Sequence, residues 1–187
     1  MDQRALVERA QRGDHDAFTV LIERAVPRLD GAARLILRDG ELARDAMQEA
    51  LFQAWRDLPG LRDPDRFDAW LHRIMVNSCL QAARHRRRRP IEVELTPMAG
   101  PSIGDHQSVV AARDLLDDAL RRLVPEWRAV IVLHYYLGMP LPDVAVALGV
   151  PLGTVKSRLH RSLGVMRSTI VSAEAAETAA VSGGQFA

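Results

Sequence analysis

The chain reads as all-α: two small helical domains joined by a flexible linker. Three observations predict this. Apolar residues recur at three- and four-residue spacing from Ala5 to Arg84 and again from Val109 to Val171, and strand alternation is absent throughout. Between these blocks, "RPIEVELTPMAGPSIGDHQS" carries Pro90, Pro97, Pro101, Gly100 and Gly104 and has no helical period. A structureless run of that length is uncommon inside one compact domain. It therefore divides the chain into a first domain at 1–88, a linker at 89–108, a second domain at 109–172 and a flexible tail at 173–187.

Each element has its own signal. "GDHDAFTVLIERAV" opens with Asp14 as an N-cap, followed by Phe18, Leu21, Ile22 and Ala25 on one face. "ELARDAMQEALFQAW" sets Met47, Leu51 and Trp55 four apart, and the Pro-, Gly- and Asp-rich "RDLPGLRDPDR" ends it as a loop. "DRFDAWLHRIMVNSCLQAARHRRRR" is the longest helix expected, with Trp70, Leu71, Ile74 and Leu80 turned inward. The second domain reads "VVAARDLLDDALRRL", "PEWRAVIVLHYYLG", "LPDVAVALG" and "VPLGTVKSRLHRSLGVMRS". Pro125 suits a first helical turn, and Gly138 and Gly149 sit where helices stop. "SAEAAETAAVSGGQFA" lacks an apolar face and is expected to fray.

Composition excludes several classes. A 48% hydrophobic content supplies real cores, and no apolar run approaches a membrane span. The charged opening "MDQRALVERAQRGD" lacks the apolar middle of a signal peptide, so the expected compartment is the cytoplasm. Cys79 stands alone, which removes an internal disulfide. The histidines are scattered, with no HExxH and no Cys/His cluster for zinc, and "PLGTVKS" lacks the spacing of a phosphate loop. An enzyme is not expected, nor a metal or cofactor. The net charge of +1 hides an uneven distribution. Met1 to Arg89 carries 17 arginines against 14 acids, whereas Pro90 to Ser108 carries three acids and no base.

In "LPDVAVALGVPLGTVKSRLHRSL" two short helical patterns meet at Gly149, Val150 and Pro151, the layout of a helix-turn-helix. On a wheel of about 100° per residue, Val155, Leu159, Ser162 and Met166 form the inner stripe. Ser157, His160, Arg161 and Gly164 lie opposite, with Lys156 and Arg158 on the flanks. Leu152 to Arg167 holds four basic residues and no acid, unlike the mixed face of "RDLLDDALRR". One such helix fits a major groove, where arginine and lysine donate to guanine and phosphate and the hydroxyls of Thr154 and Ser157 bond either. The expected reading residues are Ser157, His160 and Arg161, with Thr154, Lys156 and Arg158 nearer the backbone. In the first domain, Arg73, Asn77 and Gln81 form a polar stripe away from Trp70 and Ile74, running into Arg84 and the tract Arg86 to Arg89. Side chains of this kind suit base edges or splayed single-stranded bases, with the arginines on phosphate.

Taken in order, these segments resemble the extracytoplasmic-function (ECF) sigma factors of the sigma-70 family, the two-domain initiation subunits of bacterial RNA polymerase. "GDHDAFTVLIERAVPRL" resembles the opening of their promoter-melting domain, "ARDAMQEALFQAW" their polymerase-binding helix, and "FDAWLHRIMVNSCLQAARHRRRR" their minus-ten helix. "LGVPLGTVKSRLHRSL" is similar to the heart of their minus-thirty-five domain. The resemblance covers residues 5 to 170 and implies a sigma-2-like domain followed by a sigma-4-like one. It implies that Asp45, Gln48, Glu49, Leu51 and Trp55 grip the polymerase core at its clamp, with a second contact at the flap. It implies that Arg73, Asn77, Gln81 and Arg84 read single-stranded DNA at minus ten. The loop Leu58 to Arg66 would take a flipped base, and Thr154, Lys156, Ser157, Arg158, His160 and Arg161 would read the duplex upstream. An anti-sigma factor is the further partner implied. The chain departs from the family pattern at Leu42 and Arg44, where acids are frequent, at Ala25, and at Pro140, which replaces a serine cap. The alternative function is a one-component regulator with a helical sensing domain ahead of its helix-turn-helix.

Overall fold

The computed structural model describes the backbone of residues 2–88 and 107–183 and the side chains of 2–88 and 113–173. All of the expected linker except Gln107 and Ser108 lies outside the described residues, as does the end of the tail from 184. The helices are α1 (Gln3–Gln11), α2 (His15–Leu37), α3 (Gly40–Asp57), α4 (Phe67–Arg88), α5 (Gln107–Arg121), α6 (Pro125–Ile131), α7 (Leu141–Leu148) and α8 (Leu152–Gly183). Two 3₁₀ turns, Leu58–Gly60 and Pro64–Arg66, join α3 to α4, and a π turn, Val132–Tyr136, follows α6. No strand occurs among the described residues.

Local chemistry sets the boundaries. Asp14 caps α2 by accepting from the amide of Ala17 at 3.0 Å, and Arg9 pairs with its other oxygen at 2.7 Å. The Ala17 amide first, and Arg9 with it, hold the Asp14 carboxyl below its ordinary range. α2 then runs straight through Pro27 to Leu37, beyond the segment its periodicity marked. Pro27 removes the amide that would bond Glu23, but both residues are exposed, where water can take the freed carbonyl. Arg38 ends the helix in the left-handed region at φ 57°. Asp39 then caps α3, accepting from Leu42 N at 3.0 Å, while its second oxygen takes Arg86 of α4 at 2.7 Å.

The helix-turn-helix closes as its sequence predicts. Gly149 has φ 64°, its amide reaches Val146 O, and Val150 N reaches Ala145 O, which together make a Schellman cap. Nothing lies within 4 Å of a β-carbon built on Gly149, so the demand for glycine is purely conformational. Gly149→Ala should therefore cost about 1–2 kcal/mol, the strain of a left-handed alanine. Urea denaturation checks this, and an unchanged midpoint would contradict it. Pro125 occupies the first turn of α6, and Pro140 sits at the cap position of α7 with no side-chain cap, as its chemistry requires.

Beyond Val171 the structure differs from expectation. Up to Gly183 the expected tail continues α8, because "SAEAAETAA" is rich in strong helix formers and free of Pro and Gly.

The two helical domains pack on each other. α7 lies against α4, while α6 and the π turn lie against α2. Ala129, Val130, Leu133, Met139, Val144 and Val155 join one core with Leu6, Ile36, Leu71 and Met75 of the first domain. A smaller core of Ala119, Leu120, Leu123, Ile131 and Met166 holds α5 against α6 and α8. Polar contacts stitch the seam. Arg38 donates both terminal nitrogens to Asp117, at 2.8 and 2.5 Å, and Arg28 donates to the carbonyl of Tyr136 at 2.9 Å. The Tyr136 hydroxyl sits so close to Gly31 that a β-carbon there would collide with it. Pairing with Arg38 holds the Asp117 carboxyl below its ordinary range. Its contribution is therefore complete above the usual carboxylate pKa and is lost as pH falls through the lowered value.

Candidate nucleic-acid interface

From Leu71 to Ala83, helix α4 is buried on every side but one. Leu71, Ile74, Met75, Val76, Ser78, Cys79, Leu80 and Ala83 are enclosed between α2, α3 and α7. Arg73, Asn77, Gln81 and Arg84 are all exposed and line up along the remaining face. None of the four has a hydrogen bond or ion pair among the described residues, although Arg86 in the same helix is paired to Asp39. A helix otherwise given over to packing thus presents one unpartnered polar stripe with two cations. Cys79 inside it is fully buried, and burial pushes its thiol up to about 12, which leaves it inert.

The loop ahead of α4 is held from behind. Leu58 and Pro64 are buried, and Gln11 donates to the carbonyls of Leu58 and Leu61 at 3.2 and 2.7 Å. Asp63 caps the second 3₁₀ turn by accepting from Asp65 N, and Arg4 pairs with Asp65 at 2.7 Å. Pro59, Gly60, Arg62, Asp63 and Arg66 remain exposed on this braced loop, next to the start of the α4 stripe.

On α8, Val155 and Ser162 are fully buried and Met166 nearly so, while Lys156, Ser157, His160 and Arg161 are exposed. Arg158 is half-buried at one edge, as the wheel placed it, and Thr154 is half-buried too. Ser157 donates to Thr154 O at 2.9 Å, so its hydroxyl is oriented but keeps its lone pairs. No carboxylate among the described residues pairs with Lys156, Arg158, His160 or Arg161. The outer side of the second helix of the turn therefore presents its cations with no pairing acid among the described residues.

The third expected face lies on α3. Asp45, Gln48 and Glu49 are exposed together, whereas Leu51 and Trp55 stand half-buried at its edge. Trp55 stacks on His15 at 4.4 Å and meets Phe18 edge-on at 4.9 Å, which fixes it as a wall rather than a free anchor. Sequence reasoning missed Phe52. It lies seven residues after Asp45 on the same face, is 61% exposed, and is flanked by the Arg56 guanidinium at 5.9 Å. The helical spacing from Asp45 through Glu49 could have found it.

No group of three His, Cys, Asp or Glu among the described residues could hold a metal. His134 donates its Nδ1–H to the carbonyl of Met139 at 2.8 Å and packs on Tyr135. No helix among the described residues is long and apolar enough to cross a membrane.

Comparison with known proteins agrees with this layout. Residues 21–89 match Sigma-70 region 2, and residues 113–164 match Sigma-70 region 4. The chain is 36% identical over 141 residues to an RNA polymerase sigma-E factor of Streptomyces avermitilis, covering 75% of this chain and 78% of that one. It is 37% identical over 152 residues to the ECF RNA polymerase sigma factor SigM of Mycobacterium tuberculosis, covering 80% and 75%. Among solved structures it resembles CnrH in complex with the cytosolic domain of CnrY, with TM-score 0.67, 27% identity and 91% and 97% coverage. RpoE of Bartonella quintana, solved with the anti-sigma factor NepR, shares the fold at TM-score 0.68 and 23% identity, covering 82% and 96%.

Proposed function

The chain belongs to the ECF sigma factors of the sigma-70 family, which direct RNA polymerase to promoters, and we propose that it divides its promoter between two helix faces. Arg73, Asn77 and Gln81 of α4 read the minus-ten element as single-stranded DNA, with Arg84 on its phosphates. The loop Leu58 to Arg66 holds a base flipped out of the stack, supplying contacts that replace the few kcal/mol of lost stacking. The α8 face reads the minus-thirty-five duplex: Ser157, His160 and Arg161 at the base edges, Thr154, Lys156 and Arg158 at the backbone. Asp45, Gln48, Glu49 and Phe52 dock on the clamp of the core enzyme, with Leu51 and Trp55 shaping the rim of that face. The second domain takes the flap. The protein acts in the cytoplasm as a non-catalytic subunit, and an anti-sigma factor, the class of partner bound to RpoE in its solved structure, holds it in reserve.

The observation that supports this division best is the α4 stripe. A helix that buries its other faces and leaves four polar side chains unpartnered is built for an external ligand rather than for packing. The helix-turn-helix alone would equally suit a one-component regulator, but such a regulator has no use for this second stripe.

Substitutions on α8 test the assignment. Arg161→Ala should weaken promoter binding by about 1–3 kcal/mol and relax the preference at one base pair. Lys156→Ala should weaken binding to all sequences alike and reduce the salt slope by about one. Quantitative footprinting of the holoenzyme over a set of upstream-element variants reads both. An Arg161→Ala holoenzyme with the wild-type preference at every position would take Arg161 off the reading face.

A further inference from the structure

Four arginines from both domains converge where α6 meets the ends of α2 and α4. Arg128 of α6 is 6% exposed, its Nε is buried without a hydrogen-bond partner, and its side chain makes no hydrogen bond among the described residues. Across the seam, Arg38 spends its terminal nitrogens on Asp117, yet its Nε is also buried and without an acceptor. Arg86 and Arg87, from the last turn of α4, act on Arg128 with the same sign. Burial first, and then these three cations, lower Arg128 to about 10. The nearby carboxylates are committed elsewhere: Asp117 to Arg38, and Asp39 to Arg86 and the α3 cap. Among the described residues only Glu126, on the helix of Arg128 itself, opposes the excess.

A buried guanidinium N–H without an acceptor, set among surplus positive charge, is costly, and it persists only where something compensates it. Two such N–H groups, one from each domain, are buried without an acceptor along the seam where α6 meets α2. We infer that this seam is a binding site for a compact oxyanion of the phosphate class, bridging Arg128 of the second domain and Arg38 of the first.

The chemistry selects that ligand. Guanidinium N–H groups are rigid and planar, and they match the spread oxygens of phosphate better than a spherical halide. A dianion also offsets the surplus of positive charge, which a neutral ligand or a water cannot. Size excludes the alternative phosphate source: a duplex backbone cannot reach a side chain that is 6% exposed while the two domains are packed. The site therefore differs from both DNA-reading faces, and its existence does not depend on their assignment. Because the anion touches both domains, its binding favours the packed arrangement over a separated one.

The test uses the full chain and inorganic phosphate, with ionic strength held constant by sodium chloride. Millimolar phosphate keeps the experiment below the range where salts act through surface exclusion. Thermal unfolding should show a rise in Tm of about 3–6 °C on adding phosphate at ten times its dissociation constant. Arg128→Gln should lose that rise, and Arg167→Gln, on an exposed stretch of α8, should keep it. In phosphate-free chloride Arg128→Gln should melt no lower than wild type, because it removes a buried unpaired charge. A second reading needs no variant to fold: in ¹⁵N-labelled wild type, phosphate should move the two buried arginine Nε–H resonances and leave those of exposed arginines in place. An equal rise in Arg128→Gln, or buried Nε–H resonances that do not respond, would overturn the site.

Discussion

Reversing the charge of Asp45 and Glu49 together is expected to abolish co-purification with core RNA polymerase while leaving the fold intact. Both side chains are exposed, one turn apart on α3, with Gln48 and Phe52 between and beside them. Neither is an N-cap, and neither supports a buried group, so their replacement removes nothing from the core. What changes is the sign of a face with an exposed aromatic beside its acids, an arrangement expected of a docking patch with an apolar anchor and charged neighbours. Each like-charge juxtaposition at an interface costs several kcal/mol. Two together should lower the affinity by on the order of 10³-fold or more. Pull-down of core subunits reads the loss, and circular dichroism checks the helices. Normal recovery of core with an unchanged spectrum would remove this face from the docking surface. Phe52→Ala, tested beside it, should weaken the complex without altering its salt dependence.

Removing ten residues from the segment between α4 and α5 is expected to stop initiation on a promoter that the full chain uses. α4 spans about 33 Å. α7 lies on it and α8 lies on α7, each contact adding about 8–10 Å. In the packed arrangement the two reading faces therefore fall short of two DNA turns, about 68–72 Å, and the domains must part to reach both elements. With α5 starting at Gln107, residues 89–106 reach at most about 59–65 Å when extended. The remaining eight residues would reach about 26–29 Å. The shortened protein should still pull down core polymerase through α3, which separates a failure of reach from a failure to fold. Inserting one base pair between the elements should be tolerated by the full chain. Normal run-off transcription from the deletion variant would refute the separated-domain account.

What the sequence disclosed and what it concealed divide along physical lines. Signals that act within one turn were legible: the Asp14 cap, the Pro125 start and the left-handed Gly149 each follow from the chemistry of one or two residues. The stripe Arg73, Asn77 and Gln81 was legible because a helix converts spacing into a face. The run of α2 through Pro27 was not, because it depends on that proline facing solvent. The docking of the second domain on the first was hidden for a different reason. Arg38 and Asp117 are 79 positions apart, and nothing local marks either as a partner. Arg128 reads in the sequence as an ordinary arginine early in an amphipathic helix, and only the arrival of α2 and α4 against α6 makes it a buried charge. Phe52 was within reach of the same periodicity argument that found Asp45 and Glu49.

The central claim is that two faces of one chain read DNA together and do so in the service of a polymerase. A gel-shift assay of the purified protein on a promoter fragment, with and without core enzyme, tests it most directly. A stable, sequence-specific complex should form only when core is present. It should weaken when either Asn77 or Arg161 is replaced by alanine, and further when both are. Tight binding of the protein alone to a palindromic site, indifferent to core polymerase and to Asn77→Ala, would contradict the account and make the chain a free-standing regulator.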